Sequence, residues 1–144
     1  MPTRSASATW DGDLPSGSGT MSVESGAYDG AFSFGSRFEA AEGSNPEELI
    51  AAAHAGCFSM AFSNVLDDAG HTPTSVETTA DVALEMLEDD GPTITTIHLT
   101  TEAVVPGIDD ETFQELATAA KEGCPVSKAL AGPEITLDAT LTTG

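Results

Sequence analysis

With 144 residues the chain has room for one hydrophobic core, and a single domain over 1–144 is expected. Four Lys and Arg stand against 24 Asp and Glu, a formal charge of −20, which repels phosphate backbones and anionic leaflets and so excludes nucleic acid and membrane as partners. Hydrophobic residues make up 40% of the chain, too many for a disordered polyanion, so the acid coats a folded protein.

Self-repulsion of that size destabilises a compact state unless ions screen it, and the coat reads as halophilic, an adaptation to a salty cytoplasm. Met1–Trp10 is rich in Ser, Ala and Thr and lacks the apolar core of a signal peptide. The apolar stretch Ile50–Phe62 is interrupted by His54 and Ser59 and is too short to span a bilayer. A cytoplasmic protein with two reduced cysteines is expected.

The first third reads as strands at Ser5–Trp10, Thr20–Glu24 and Ala31–Phe38, separated by turn clusters at Asp11–Gly19 and Ser25–Gly30. Gly17-Ser18-Gly19 lacks the rest of a dinucleotide fingerprint and reads as a hairpin loop. A helix follows, with Asn45 as N-cap, Pro46 at the first helical position and Glu48 completing a capping box. It runs to about Asp68, with Gly70 at its exit. Leu49, Ala53, Gly56, Cys57 and Met60 share one unusually small face, which predicts a central, buried helix.

Val76–Met86 and Thr93–Val105 alternate as two long strands joined at Gly91-Pro92, the second aligning Ile97, Leu99, Thr101, Ala103 and Val105 on one face. A second helix from Asp109 carries the stripe Phe113, Leu116, Ala117 and Ala120 and stops at Gly123. Cys124-Pro125 opens a short third helix, and Ile135, Leu137, Ala139 and Leu141 alternate in a last strand. The order β-β-β-α-β-β-α-α-β predicts an α+β domain with helices packed on a mainly antiparallel sheet.

Cys57 lies mid-helix, where a thiol is commonly a small buried hydrophobe. Cys124 sits at a helix N-cap, where the positive end of the helix dipole favours thiolate. Spacing alone does not bring the two together. A redox pair is one reading; a metal site with His54 is another, though only three ligands can be named for it, at unusual spacing. Arg37, one of few cations, sits among aromatics in Phe34-Gly35-Ser36-Arg37-Phe38, where it serves a site or merely offsets Glu39. Glu47 either faces the helix dipole or serves the same site. It precedes Cys57 by ten residues, about 15 Å along a straight helix, so both could serve one site only if Glu47 came from a second subunit. His71 and His98 read as solvent-facing, and His54 as meeting a packing or hydrogen-bonding need.

These segments resemble the osmotically inducible protein C (OsmC) family of thiol peroxidases, kin of the organic hydroperoxide resistance (Ohr) proteins. The resemblance is carried by Thr9-Trp10-Asp11-Gly12-Asp13, Arg37-Phe38-Glu39, Asn45-Pro46-Glu47-Glu48-Leu49-Ile50, Val105-Pro106-Gly107-Ile108 and Gly123-Cys124-Pro125-Val126-Ser127. Its most telling stretch is Ala52-Ala53-His54-Ala55-Gly56-Cys57-Phe58-Ser59-Met60-Ala61.

The resemblance implies an OsmC-like fold and an intertwined homodimer with two active sites at the subunit interface. It implies Cys57 as peroxidatic cysteine, Cys124 as resolving cysteine, and Arg37 with Glu47 as the family's Arg–Glu pair. It further implies an organic hydroperoxide substrate, no cofactor or metal, and a dithiol reductant, for which the family suggests lipoyl groups. Phe58, Met60 and Phe62 are candidates to line an apolar pocket, or simply core. A non-catalytic stress or ligand-binding dimer using the same pocket is the alternative function. Arg37 lies just before the helix rather than in the N-terminal Gly-rich segment, which favours the OsmC branch over Ohr.

Overall fold

Alternating Ser, Thr and Ala segments pair near the start of the chain into an antiparallel sheet. In the computed structural model, which describes residues 2–142, the chain forms two compact units, Met1–Leu49 and Ile50–Gly144. The first unit holds strands β1 (Ala6–Asp11), β2 (Ser18–Val23) and β3 (Asp29–Phe32) in that spatial order. Gly19 pairs with Trp10 on one side and Phe32 on the other. The two rings close over it with centroids 5.3 Å apart. A Cβ at Gly19 would lie 2.6 Å from the Phe32 ring and 2.7 Å from the Trp10 ring, so only glycine fits between them.

The expected strand Ala31–Phe38 is corrected here. β3 stops at Phe32, and Phe34–Phe38 is a five-residue helix, α1. Ser33 caps it: its hydroxyl accepts from Ser36 N at 3.1 Å, and the Ser36 hydroxyl accepts from Ser33 N at 2.8 Å. Two serines thus satisfy orphan amides that a strand would have sent to a neighbour.

Helix α2, Pro46–Asp68, begins in the first unit and continues in the second. Asn45 Oδ1 accepts from Glu48 N at 2.7 Å. The Glu48 carboxylate takes the Ser44 hydroxyl at 3.4 Å, in place of the return bond of the expected capping box. In the second unit α2 is buried on one side only. His54, Phe58, Phe62 and Leu66 recur every four residues and are fully buried. The small face that sequence marks for burial is a different one: Ala53 and Gly56 are exposed and Met60 is 77% exposed. The aromatic spacing decides, because two phenylalanines and a leucine remove far more apolar surface from water than Ala and Gly do. By length and composition α2 would also pass for a membrane span, but its aromatic side is already occupied by the protein's own core.

That core lies on a second sheet of β4 (Ser75–Leu87), β5 (Gly91–Val104) and β6 (Glu134–Thr142), in that order. β4 and β5 form a long hairpin. β6 runs parallel to β5, so the connection between them crosses over through α3 (Asp110–Gly123) and α4 (Pro125–Ala129). Asp109 Oδ1 caps α3 by accepting from Thr112 N at 3.1 Å. Ile97, Leu99, Thr101, Ala103 and Val105 of the expected face are all fully buried, with Phe113 and Ala117 of α3 packed in the same core.

Candidate active site

Cys57 stands on α2 and Cys124 caps α4, and the fold of the second unit brings these sequence-distant thiols together. The two Sγ atoms lie 2.9 Å apart, close enough for one thiol to hydrogen-bond to the other. Both are free thiols, Cys124 buried and Cys57 partly open. Burial pushes the Cys57 thiol up; the Cys124 thiol adds to this, and only the Val126 N–H opposes it. Burial works against the Cys124 thiolate too, but hydrogen bonds outweigh it. The Cys57 thiol, the Ser127 N–H and hydroxyl and the Val126 N–H together hold Cys124 below the usual thiol range. The Cys124 side chain makes no capping hydrogen bond at the start of α4.

In the first unit, Arg37 and Glu47 form a two-pronged pair. Arg37 Nε donates to Glu47 Oε1 at 3.0 Å and Nη2 to Oε2 at 2.9 Å. Glu47 is 7% exposed, so the dipole-only reading of this residue falls short: a buried carboxylate needs the cation it has. The guanidinium also lies 5.3 Å from the Phe38 ring centroid.

The chain around the pair is stitched to itself. Ser36 Oγ donates to Ser44 O at 2.6 Å, Asn45 Nδ2 to Ser36 O at 3.1 Å, and Ser44 N to Ala31 O at 2.9 Å. Gly43 makes the return at φ +120, where a Cβ would crowd the Ala31 carbonyl at 3.0 Å. Beside Arg37 opens an apolar hollow of about 220 Å³ lined by Trp10, Leu14, Phe32, Phe34 and Phe38. Phe58 and Phe62, by contrast, belong to the hydrophobic core. They are fully buried and stack in series with Phe113, at 5.5 and 5.2 Å between centroids.

His54 is fully buried, and its Nε2 lies 2.7 Å from Ser127 Oγ. Its Nδ1 is buried without a hydrogen-bond partner among the described residues. Burial holds the imidazole below its ordinary pKa, and so neutral. Among the described residues no three His, Cys, Asp or Glu side chains are grouped to hold a metal. His98 is only half exposed and is held by Thr136 at 2.5 Å and Asp138 at 3.0 Å, more engaged than a plain solvent-facing side chain. Ser127 is the site residue that sequence reading missed. Its partner His54 is 73 positions away, and no local pattern announces the contact.

A family model described as OsmC-like protein matches residues 39–138. The chain is 54% identical over 132 residues to the peroxiredoxin OsmC of Escherichia coli strain K12, covering 91% of each chain. It superposes on the crystal structure of the organic hydroperoxide resistance protein OhrB of Bacillus subtilis with a TM-score of 0.69 at 30% identity, covering 96% of this chain and 98% of that one. An organic hydroperoxide resistance protein from Elizabethkingia anophelis gives a TM-score of 0.74 at 26% identity, covering 100% and 98%. A family match over most of the chain, joined to 54% identity across nearly all of it, makes this chain a member of the OsmC family.

Proposed function

We propose that this chain is a thiol-dependent hydroperoxide reductase whose substrate is an organic hydroperoxide. The observation that carries the reading is the thiol pair, two free cysteines with sulfurs 2.9 Å apart, one of them partly open to solvent. Relatives named peroxiredoxin OsmC and organic hydroperoxide resistance protein support a peroxidase-type role. The aromatic hollow beside Arg37 supports an alkyl or aryl peroxide over hydrogen peroxide.

In the mechanism, Cys57 thiolate attacks the outer oxygen of the peroxide. The O–O bond breaks, the alkoxide takes up a proton to leave as alcohol, and Cys57 becomes a sulfenic acid. Cys124 then displaces hydroxide from Cys57 Sγ, forming the disulfide and water. A dithiol opens the disulfide by exchange, its two thiols becoming a disulfide as Cys57 and Cys124 are restored. Lipoyl groups fit that role.

The first step needs a cation, and among the described residues none acts on Cys57, whose pKa burial and Cys124 both raise. Arg37 is the cation already oriented by a buried carboxylate. It would stabilise the thiolate and the charge developing on the departing oxygen. Because Glu47 and Cys57 are well separated along one helix, the reading assigns the Arg37–Glu47 pair to the Cys57 of a second subunit, and hence a homodimer. The exposed small face of α2, Ala53 and Gly56 with Met60, suits close approach of another chain. A single OsmC-like domain over 1–144 belongs to the same reading.

Titrating reduced protein with one equivalent of organic hydroperoxide tests it. Loss of two thiols per chain with one alcohol formed is the expected result. Retention of both thiols would favour a ligand-binding dimer instead.

A further inference from the structure

His54 is an ionisable side chain that the peroxidase reading leaves without a task. It precedes Cys57 by three residues on α2, and its ring reaches Ser127 rather than either sulfur. The unpartnered buried Nδ1 decides the tautomer. A bare lone pair is tolerated there more readily than an orphaned N–H, so the ring proton belongs on Nε2. A neutral ring protonated on Nε2 donates to Ser127 Oγ, which leaves the hydroxyl proton of Ser127 free to point elsewhere. Cys124 is the N-cap residue of α4 and Ser127 the third residue of that helix, the register in which an N-cap side chain lies over the first turn, and the Ser127 N–H and hydroxyl both favour the Cys124 thiolate.

We propose that His54 is a positioning residue for the resolving thiol: its Nε2–H holds Ser127 Oγ so that the serine hydroxyl donates to Cys124 Sγ. The proposal rests on the peroxidase reading of the two cysteines. In resolution the S–O bond of the Cys57 sulfenic acid breaks as the S–S bond forms, and the hydroxide leaves with the proton lost by Cys124 as water. In recycling the incoming dithiol attacks Cys57 Sγ and Cys124 departs as thiolate. Ser127 and His54 keep their own protons in both steps. They lower the energy of the same species, the Cys124 thiolate, first as nucleophile and then as leaving group.

Single-turnover kinetics separate this role from packing. Reduced protein is mixed with one equivalent of cumene hydroperoxide, quenched by alkylation, and scored for Cys57 oxidation and then for disulfide. Ser127→Ala and His54→Leu should oxidise Cys57 at the wild-type rate and close the disulfide about tenfold more slowly, the scale of a lost hydrogen bond to a charged group. His54→Gln can keep an N–H near the Nε2 position and should recover most of the closure rate. Wild-type closure in Ser127→Ala, a Gln variant as slow as Leu, or equal slowing of both phases would each overturn the proposal. Wild-type protein that never loses a thiol would overturn the peroxidase reading itself, a distinct result.

Discussion

A carboxylate as buried as Glu47 has to be matched, and the match with Arg37 serves both sides. The guanidinium neutralises the buried charge, and the carboxylate fixes two of its N–H groups in one plane. In the peroxidase reading Arg37→Ala should slow Cys57 oxidation by about 100-fold or more, the scale of losing a preorganised transition-state donor. Glu47→Gln keeps a hydrogen-bond acceptor but loses the charge and the two-pronged grip, so a smaller loss in the same step is expected. Stopped-flow oxidation of the reduced variants measures both; rates equal to wild type would reduce the pair to a structural tie. The cysteines divide differently. Cys57→Ser should abolish turnover, whereas Cys124→Ser should react once and accumulate a sulfenic acid that dimedone traps.

At the scale of elements, α2 owes its seat in the second unit to Phe58, Phe62 and Leu66. Phe62 contacts both Phe58 and Phe113, so Phe62→Ala should cost about 3–5 kcal/mol by denaturant titration. A loss under 1 kcal/mol would mean that the core closes over the gap. Elements with a long, unambiguous period were legible in the sequence. The face from Ile97 to Val105 is buried as its spacing requires, as are Phe113, Ala117 and Ala120 of the α3 stripe, with Leu116 partly buried beside them. α1 was not legible as a helix because apolar Phe32 and Phe34 alternate as a strand would. Its signal was the Ser33–Ser36 pair, a capping box written with serine where Glu or Gln is the usual reciprocal residue. The small face of α2 misled for another reason: small residues permit close approach but do not drive burial. At the site, the Pro after Cys124 marked the cap, and the pairing of Glu47 with Arg37 followed from the family resemblance. Residue spacing could not supply the meeting of Cys57 with Cys124 or of His54 with Ser127, since the crossover through α3 and α4 decides both.

For the whole molecule, most of the 24 carboxylates have no cation to meet, because only Arg4, Arg37, Lys121 and Lys128 exist and Arg37 is committed to Glu47. At low ionic strength they repel across the surface, and pairing two chains of charge −20 makes the repulsion worse. Salt cuts its reach to about 3 Å at 1 M, while the partly buried Arg37–Glu47 pair is screened much less. If the chain pairs as proposed, dimer stability and peroxidase activity should therefore rise together as potassium chloride goes from millimolar to molar. Sedimentation and activity across that series check it. Full dimerisation and peak activity in dilute buffer would show that the acidic coat serves some other end.

Cys57 and Cys124 stand 67 positions apart in the chain. A covalent link across so long a loop removes many conformations from the unfolded chain, worth about 4 kcal/mol in loop entropy. Each catalytic cycle of the proposed kind would then alternate between two proteins of unequal thermal resistance. The oxidised form should melt several degrees above the reduced one in scanning calorimetry, and coincident transitions would count against such a link. In such a cycle the reduced chain, ready for peroxide, would be the more easily unfolded of the two, and a cell short of dithiol would accumulate the form that is inactive and hardest to unfold.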